Sequence, residues 1–264
     1  MLRAWRRARE RYFEARHPFP IEAWCESRAR LPLLAALTEE EASRLGPRAW
    51  RFLFDKRLSL HPELDVTFDL PARLALAAQA CLLTLGWTER EHREAFANFH
   101  EILILPEAFK RHVEEMDEFG VMHEYVDERA GETSYQGPIV IAFPDLMESG
   151  DLNGFNVMIH EASHKLDLGN SPDADGFPPL PRDIDPREWH RVFTAVWQDL
   201  QAHLAQGRSP PIDDYAASHP GECFAVCCEY FFTAPRILDD AYPALYALLV
   251  RYFRQDPLPR RFRP

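Results

Sequence analysis

The run Val157-Met158-Ile159-His160-Glu161-Ala162-Ser163-His164-Lys165-Leu166 sets two imidazoles and a carboxylate among apolar neighbours. Burying such groups is costly unless something pairs with them, so any fold built on this run has to supply the partner. At 3.6 residues per turn His160 and His164 fall one turn apart on one helix face, where both rings can reach a single cation. Glu161 follows the first histidine and can address a water on that cation without being a ligand itself. This is half of a zinc hydrolase site, which also wants a third protein ligand and an open position for water. With 11 histidines in 264 residues, chance supplies far fewer than one His-Glu-x-x-His match.

Two residues compete for the third position. Asp183 follows His164 after eighteen intervening residues but stands in a proline-rich stretch, Ser171 to Pro186. Glu222 opens the strongly apolar segment Glu222-Cys223-Phe224-Ala225-Val226-Cys227-Cys228-Glu229-Tyr230-Phe231-Phe232. A third histidine two turns on is excluded, because Asp167 and Asn170 stand where glycine and histidine would be needed. Glu222 and Glu229 are seven apart and share a helix face, so periodicity does not choose between them. His219 is a weaker rival, and His190 and His203 read as ordinary residues. Asp167, three residues after His164, is placed either to orient an imidazole through its outward nitrogen or to face solvent at the helix end.

Around this run the chain reads as an α+β fold, mostly helical, with a small β-sheet beside the His-Glu-x-x-His helix. The first hundred residues read as helices. Asp69 caps and Pro71 opens an apolar helix to Leu85, with Gly86 placed to end it. From His100 the texture changes to strands, Glu101 to Leu105 and Pro138 to Phe143, with turns at Gly131 and Gly137. The second of these strands is placed to offer its edge to an extended peptide. Asp151 or Asn153 can cap the metal helix, which runs through Leu168 until Gly169 and Asn170 stop it. A further helix spans about Pro186 to Gly207, and another opens near Pro220 after the Pro210-Pro211 loop. One domain over residues 1–264 is expected, a helical half (1–99) packed on the half (100–264) that holds the sheet and both site helices; the length supports one large core.

The charge balance narrows the function. Thirty basic against 42 acidic residues give a formal charge of -12, which repels a phosphate backbone, so nucleic-acid binding is not expected. The basic clusters are terminal: Arg3, Arg6, Arg7, Arg9 and Arg11 at the front, and Arg260, Arg261 and Arg263 at the back. No apolar stretch follows the front cluster as an export signal would require, and none approaches the roughly 18 residues of a membrane span. The five cysteines show no secreted framework and read as reduced thiols in a core, which with the rest gives a cytoplasmic protein. The acidic runs Glu39 to Glu41 and Glu114 to Glu118 read as solvated faces.

Tyr215 to Glu222 followed by Cys-Phe-Ala-Val-x-x-Glu-Tyr-Phe-Phe, with His-Glu-x-x-His-Lys-Leu-Asp at 160–167, resembles the Mlc titration factor A family of glucose-regulated zinc metallopeptidases. Gly131-Glu132-Thr133, the strand from Gly137 to Phe143 and Gln79-Ala80-Cys81-Leu82 extend the likeness from about Arg51 onward. The resemblance implies a zincin-like fold of gluzincin type, similar to the lethal-factor-like peptidases. It implies Glu222 as third ligand of one zinc ion per chain beside His160 and His164, Glu161 as general base, and Tyr215 as a hydrogen-bond donor to the oxyanion. Glu229 then takes a supporting role. The implied activity is that of an aminopeptidase on peptide substrates. The alternative, implied by the family name, is a metallopeptidase-like protein that sequesters a transcriptional regulator. The cysteines at 223, 227 and 228 depart from the aromatic or small residues expected there.

Overall fold

Side-chain caps and prolines cut the front of the chain into short helices. The computed structural model describes residues 10–107, 109–116, 122–129, 131–133 and 136–260, with side chains described outside 108–135. The arginines at 3, 6, 7, 9, 261 and 263 and the end of the acidic run at Glu118 lie outside the described residues. After a helical segment at 10–16 come helices α1 (Ile21–Arg30), α2 (Pro32–Ala35) and α3 (Glu39–Asp55). Thr38 opens α3 with a capping box: its hydroxyl accepts from the Glu41 N–H at 3.2 Å, and the Glu41 carboxylate accepts from the Thr38 N–H at 2.9 Å. A short strand, β1 (Arg57–Leu60), then interrupts the helices where the sequence reads as helix only. Its four residues are too few for a period-2 signal, and its pairing comes from a distant partner strand. Helix α4 (Leu70–Leu83) starts as expected, with Asp69 accepting from the Ala72 N–H at 2.8 Å. It ends at Leu83 rather than Leu85. Gly86 serves a close approach instead, since a Cβ there would lie 2.2 Å from the Phe253 carbonyl oxygen. Helix α5 (Glu89–Ala95) follows.

The sheet is four-stranded in the order β1-β2-β6-β5. Strand β2 (Glu101–Leu105) pairs in parallel with β1, Arg57 opposite Glu101, and with β6 (Ile139–Ala142), Ile102 opposite Ile139. Strands β3 (Phe109–Met116) and β4 (Met122–Arg129) form a separate antiparallel pair. Strand β5 (Gly131–Thr133) closes the main sheet, antiparallel to β6 with Gly131 opposite Ile141. The strand after Pro138 is therefore paired on both sides and has no edge to offer; the expectation of strand addition there is overturned, and the edge beside it belongs to β5.

After α6 (Phe143–Glu148) come α7 (Val157–Asp167), α8 (Pro186–Ala205), a 3-10 turn (Asp214–Ala217), α9 (Pro220–Thr233), α10 (Pro235–Ala241) and α11 (Pro243–Phe253). Asn156, not Asp151 or Asn153, caps α7, its side chain accepting from the Ile159 N–H at 2.9 Å. Asn153 instead folds on itself, accepting from the Phe155 N–H at 3.0 Å, and Gly154 at φ 99 delays the helix. Helix α7 packs against α9, against α4 and against strands β5 and β6 of the sheet. Buried apolar residues of both halves, among them Leu45, Leu82, Ile104, Ile159, Phe224 and Phe253, form one contiguous cluster. Each such side chain contributes about 1.5–3 kcal/mol relative to exposure. No described helix is long and apolar enough to cross a membrane.

Candidate metal centre

The cap at Asn156 fixes the phase of α7, and that phase turns His160 and His164 toward the first turn of α9. Their Nε2 atoms lie 3.1 Å apart. His219 caps α9 and Pro220 opens it, which sets Glu222 in the first turn with its Oε2 at 3.0 Å from His160 Nε2 and 3.1 Å from His164 Nε2. Three donor atoms from two helices thus form a nearly equilateral triangle. A tetrahedral zinc with ligands at about 2.0–2.1 Å needs its donors roughly 3.3 Å apart, close to this spacing. Two imidazole nitrogens and a carboxylate oxygen facing one point are all atoms that can offer a lone pair, an arrangement that a cation satisfies. Among the described residues His160, His164 and Glu222 are the group that could hold a metal ion.

Each candidate ligand is held from behind to a different degree. The His160 Nδ1 lies 2.7 Å from Glu229 Oε1, and the other Glu229 oxygen accepts from the Asn156 N–H at 2.5 Å. The two glutamates that periodicity left equivalent therefore address opposite nitrogens of one ring. Asn156 in turn donates its side-chain amide to Gln79 Oε1 at 2.6 Å, tying the site to α4. His164 has no such support among the described residues: its buried Nδ1 finds no hydrogen-bond partner there. Asp167 does not serve it and does not face solvent. It is fully buried, and its Oδ2 accepts from the Gly176 N–H at 2.8 Å. Burial pushes the Asp167 carboxyl up to about 7.

The electrostatics follow the same geometry. Burial works against the Glu222 carboxylate, but hydrogen bonds from both imidazoles outweigh it and hold the group well below the ordinary carboxylate range. Burial likewise opposes charge on His160, yet Glu229 and Glu222 together raise its affinity for a proton well above that of a free imidazole. Burial pushes Glu229 up. Glu161 is 2% exposed, and its Oε2 has no hydrogen-bond partner among the described residues. Tyr215 sits in the 3-10 turn that Asp213 caps, accepting the Tyr215 N–H at 2.9 Å, and its ring centroid lies 6.1 Å from that of His160.

Asp183 is not part of the cluster; its backbone carbonyl accepts from Arg251 at 2.8 Å. His219 is spent on the cap, its Nδ1 accepting from the Gly221 N–H at 3.2 Å. Cys81, Cys223, Cys227 and Cys228 are buried free thiols as expected, but Cys25 is exposed. A hydrogen bond with Cys223, together with burial, pushes the Cys227 thiol well above the ordinary range. Sequence reasoning passed over Lys165. It is fully buried on α7, and its Nζ donates to the Gly137 carbonyl at 2.7 Å, which anchors α7 to the approach of β6. Burial brings its ammonium down to about 8. Its place inside an apolar run was the available signal.

The family model of the glucose-regulated metallo-peptidases M90 matches residues 2–254. The chain is 41% identical over 244 residues to the Mlc titration factor A of Edwardsiella ictaluri (strain 93-146), covering 90% of this chain and 89% of the relative. The Serratia proteamaculans (strain 568) protein of that name is 39% identical over 243 residues, with 91% and 89% covered. That of Yersinia pestis (strain Pestoides F) is 38% identical over 245 residues, with 91% and 87% covered. The likeness thus reaches well in front of Arg51.

Proposed function

The chain belongs to the glucose-regulated metallo-peptidases of family M90, and from that membership we propose that it is a zinc-dependent peptidase, an aminopeptidase acting on short peptides. The observation that carries the proposal is the triangle of His160, His164 and Glu222 with the buried, unpaired carboxylate oxygen of Glu161 one residue from its first corner. In this reading the three residues hold one zinc ion per chain, which supplies Lewis acidity toward the attacking water and the substrate carbonyl. Glu161 takes the proton of that water as general base and returns it to the leaving amine as general acid. Glu229 keeps the proton of His160 on Nδ1, so that the Nε2 lone pair faces the triangle. Tyr215, 43% exposed beside His160, donates its hydroxyl to the oxygen that gains negative charge. The five free thiols support a cytoplasmic location, since cysteines tend to pair in oxidising compartments.

A second reading rests on the shared name of the relatives, titration factors of Mlc, and makes this chain a binding protein for a transcriptional regulator. Glu161→Gln separates the two. In the peptidase reading the variant keeps its zinc and its fold but hydrolyses chromogenic aminoacyl and peptidyl substrates at least about 100-fold more slowly than wild type. Wild-type turnover in the variant, or no turnover by the zinc-loaded wild type, contradicts it.

A further inference from the structure

The ligand helix α7 is capped, buried and braced, whereas Glu222 stands in the first turn of a different helix, and something has to set where that turn lies. The loop after α7 lies against it through two glycines. A Cβ on Gly221 would come within 2.5 Å of the Ala174 carbonyl oxygen, and a Cβ on Gly176 within 2.6 Å of the Pro220 carbonyl oxygen. Backbone therefore meets backbone on both sides of the contact, one and two residues from Glu222. Gly176 also adopts φ 76, a conformation that L side chains rarely take. The loop is itself fixed from two directions. The Gly176 N–H donates to Asp167 Oδ2 at 2.8 Å, and the Gly176 carbonyl accepts from the Trp189 indole N–H at 2.9 Å; both bonds are buried.

We propose that Asp167, Gly176 and Gly221, with Trp189, are positioning residues that set the place of the third metal ligand: Asp167, at the end of the helix that carries His160 and His164, holds Gly176 against the turn that carries Glu222. The distance between the two halves of the triangle is then transmitted through one backbone contact rather than left to the packing of α9 alone. Glycine at 176 and 221 is required because any side chain would push the two backbones apart. This inference rests on the reading of the triangle as a metal site.

The test compares zinc affinity, by competition with a chelating dye, and the visible absorption of the cobalt-substituted protein, which reports ligand geometry, in folded variants. Gly176→Ala and Gly221→Ala are expected to weaken zinc binding by about tenfold or more and to alter the cobalt spectrum. Gly207→Ala is the control: Gly207 also has positive φ, at 63, but a Cβ there meets nothing within 4 Å, so affinity and spectrum should match wild type. Trp189→Phe adds no atom and deletes the indole donor, and is expected to weaken zinc binding in the same direction. Wild-type affinity and spectrum in the alanine variants overturn the inference; should those variants fail to fold, unchanged zinc affinity in Trp189→Phe overturns it. A wild-type chain that binds no divalent cation removes the metal reading and this inference with it, whereas wild-type binding with unaltered variants removes this inference alone.

Discussion

At the scale of single residues the site divides into groups whose chemistry is fixed by type and groups whose role depends on placement. His160, Glu161 and His164 belong to the first kind, since spacing on one helix puts them together. Glu229 belongs to the second, and its 2.7 Å contact with His160 Nδ1 gives it a measurable role. Glu229→Gln should weaken zinc binding by about 10–100-fold while the fold persists, as is usual for a carboxylate behind a liganding histidine. Zinc titration of the folded variant checks this, and an affinity equal to wild type would reduce Glu229 to packing. Tyr215→Phe isolates one hydroxyl. It should lower kcat by about 100-fold with KM and zinc content nearly unchanged, which steady-state kinetics with a zinc assay decide. Unchanged kcat makes the ring merely a neighbour of His160. The sequence could place Glu222 and Glu229 on one face but could not divide their labour, because that depends on which nitrogen of a distant ring each one meets.

Elements that carry their own boundary signals were legible. Asp69 before Pro71, Pro186 and Pro220 each open the helix that the sequence assigns to them, and the β-branched runs after His100 and Pro138 become β2 and β6. Where pairing with a remote partner decides, the sequence was silent. Strand β1 exists because its backbone pairs with β2, Arg57 opposite Glu101, and β6 is inner because β5 pairs with its other side. The packing of α3, α4 and α5 offers a test at this scale. Arg48 of α3 bonds Glu89 and the Trp87 carbonyl, while His92 of α5 lies 2.7 Å from the Thr84 hydroxyl at the end of α4. Burial, aided by the charge of Arg48, brings the His92 imidazole down to about 3. The folded chain thus holds His92 neutral, while the unfolded chain binds a proton below about 6.5. The contribution of His92 to stability is full above about pH 6.5 and is lost as pH falls toward 3, on the order of a few kcal/mol across the window. Denaturant unfolding between pH 8 and 4 should show a shallower loss for His92→Gln than for wild type; equal slopes contradict the assignment.

For the whole molecule, the C-terminal stretch closes on the front half. The Trp87 indole donates to the Tyr252 carbonyl at 2.9 Å, Gln255 donates to the Leu82 carbonyl at 2.8 Å, and the largely buried Arg260 pairs with Glu41 at 2.8 Å. With one apolar cluster shared by both halves, a single cooperative unfolding transition is expected, and two separated calorimetric transitions would contradict one domain over the chain. Zinc that binds only the folded state should raise stability by about 2.7 kcal/mol at 100 times its dissociation constant, and His160→Ala should abolish the gain. Whether two helices assemble one zinc site from His160, His164 and Glu222 is answered by anomalous scattering at the zinc edge in crystals of the zinc-loaded protein. One peak per chain is expected, about 2.0–2.2 Å from the Nε2 atoms of His160 and His164 and from a Glu222 carboxylate oxygen. No peak inside that triangle, or a peak that takes Asp183 in place of Glu222, would contradict it.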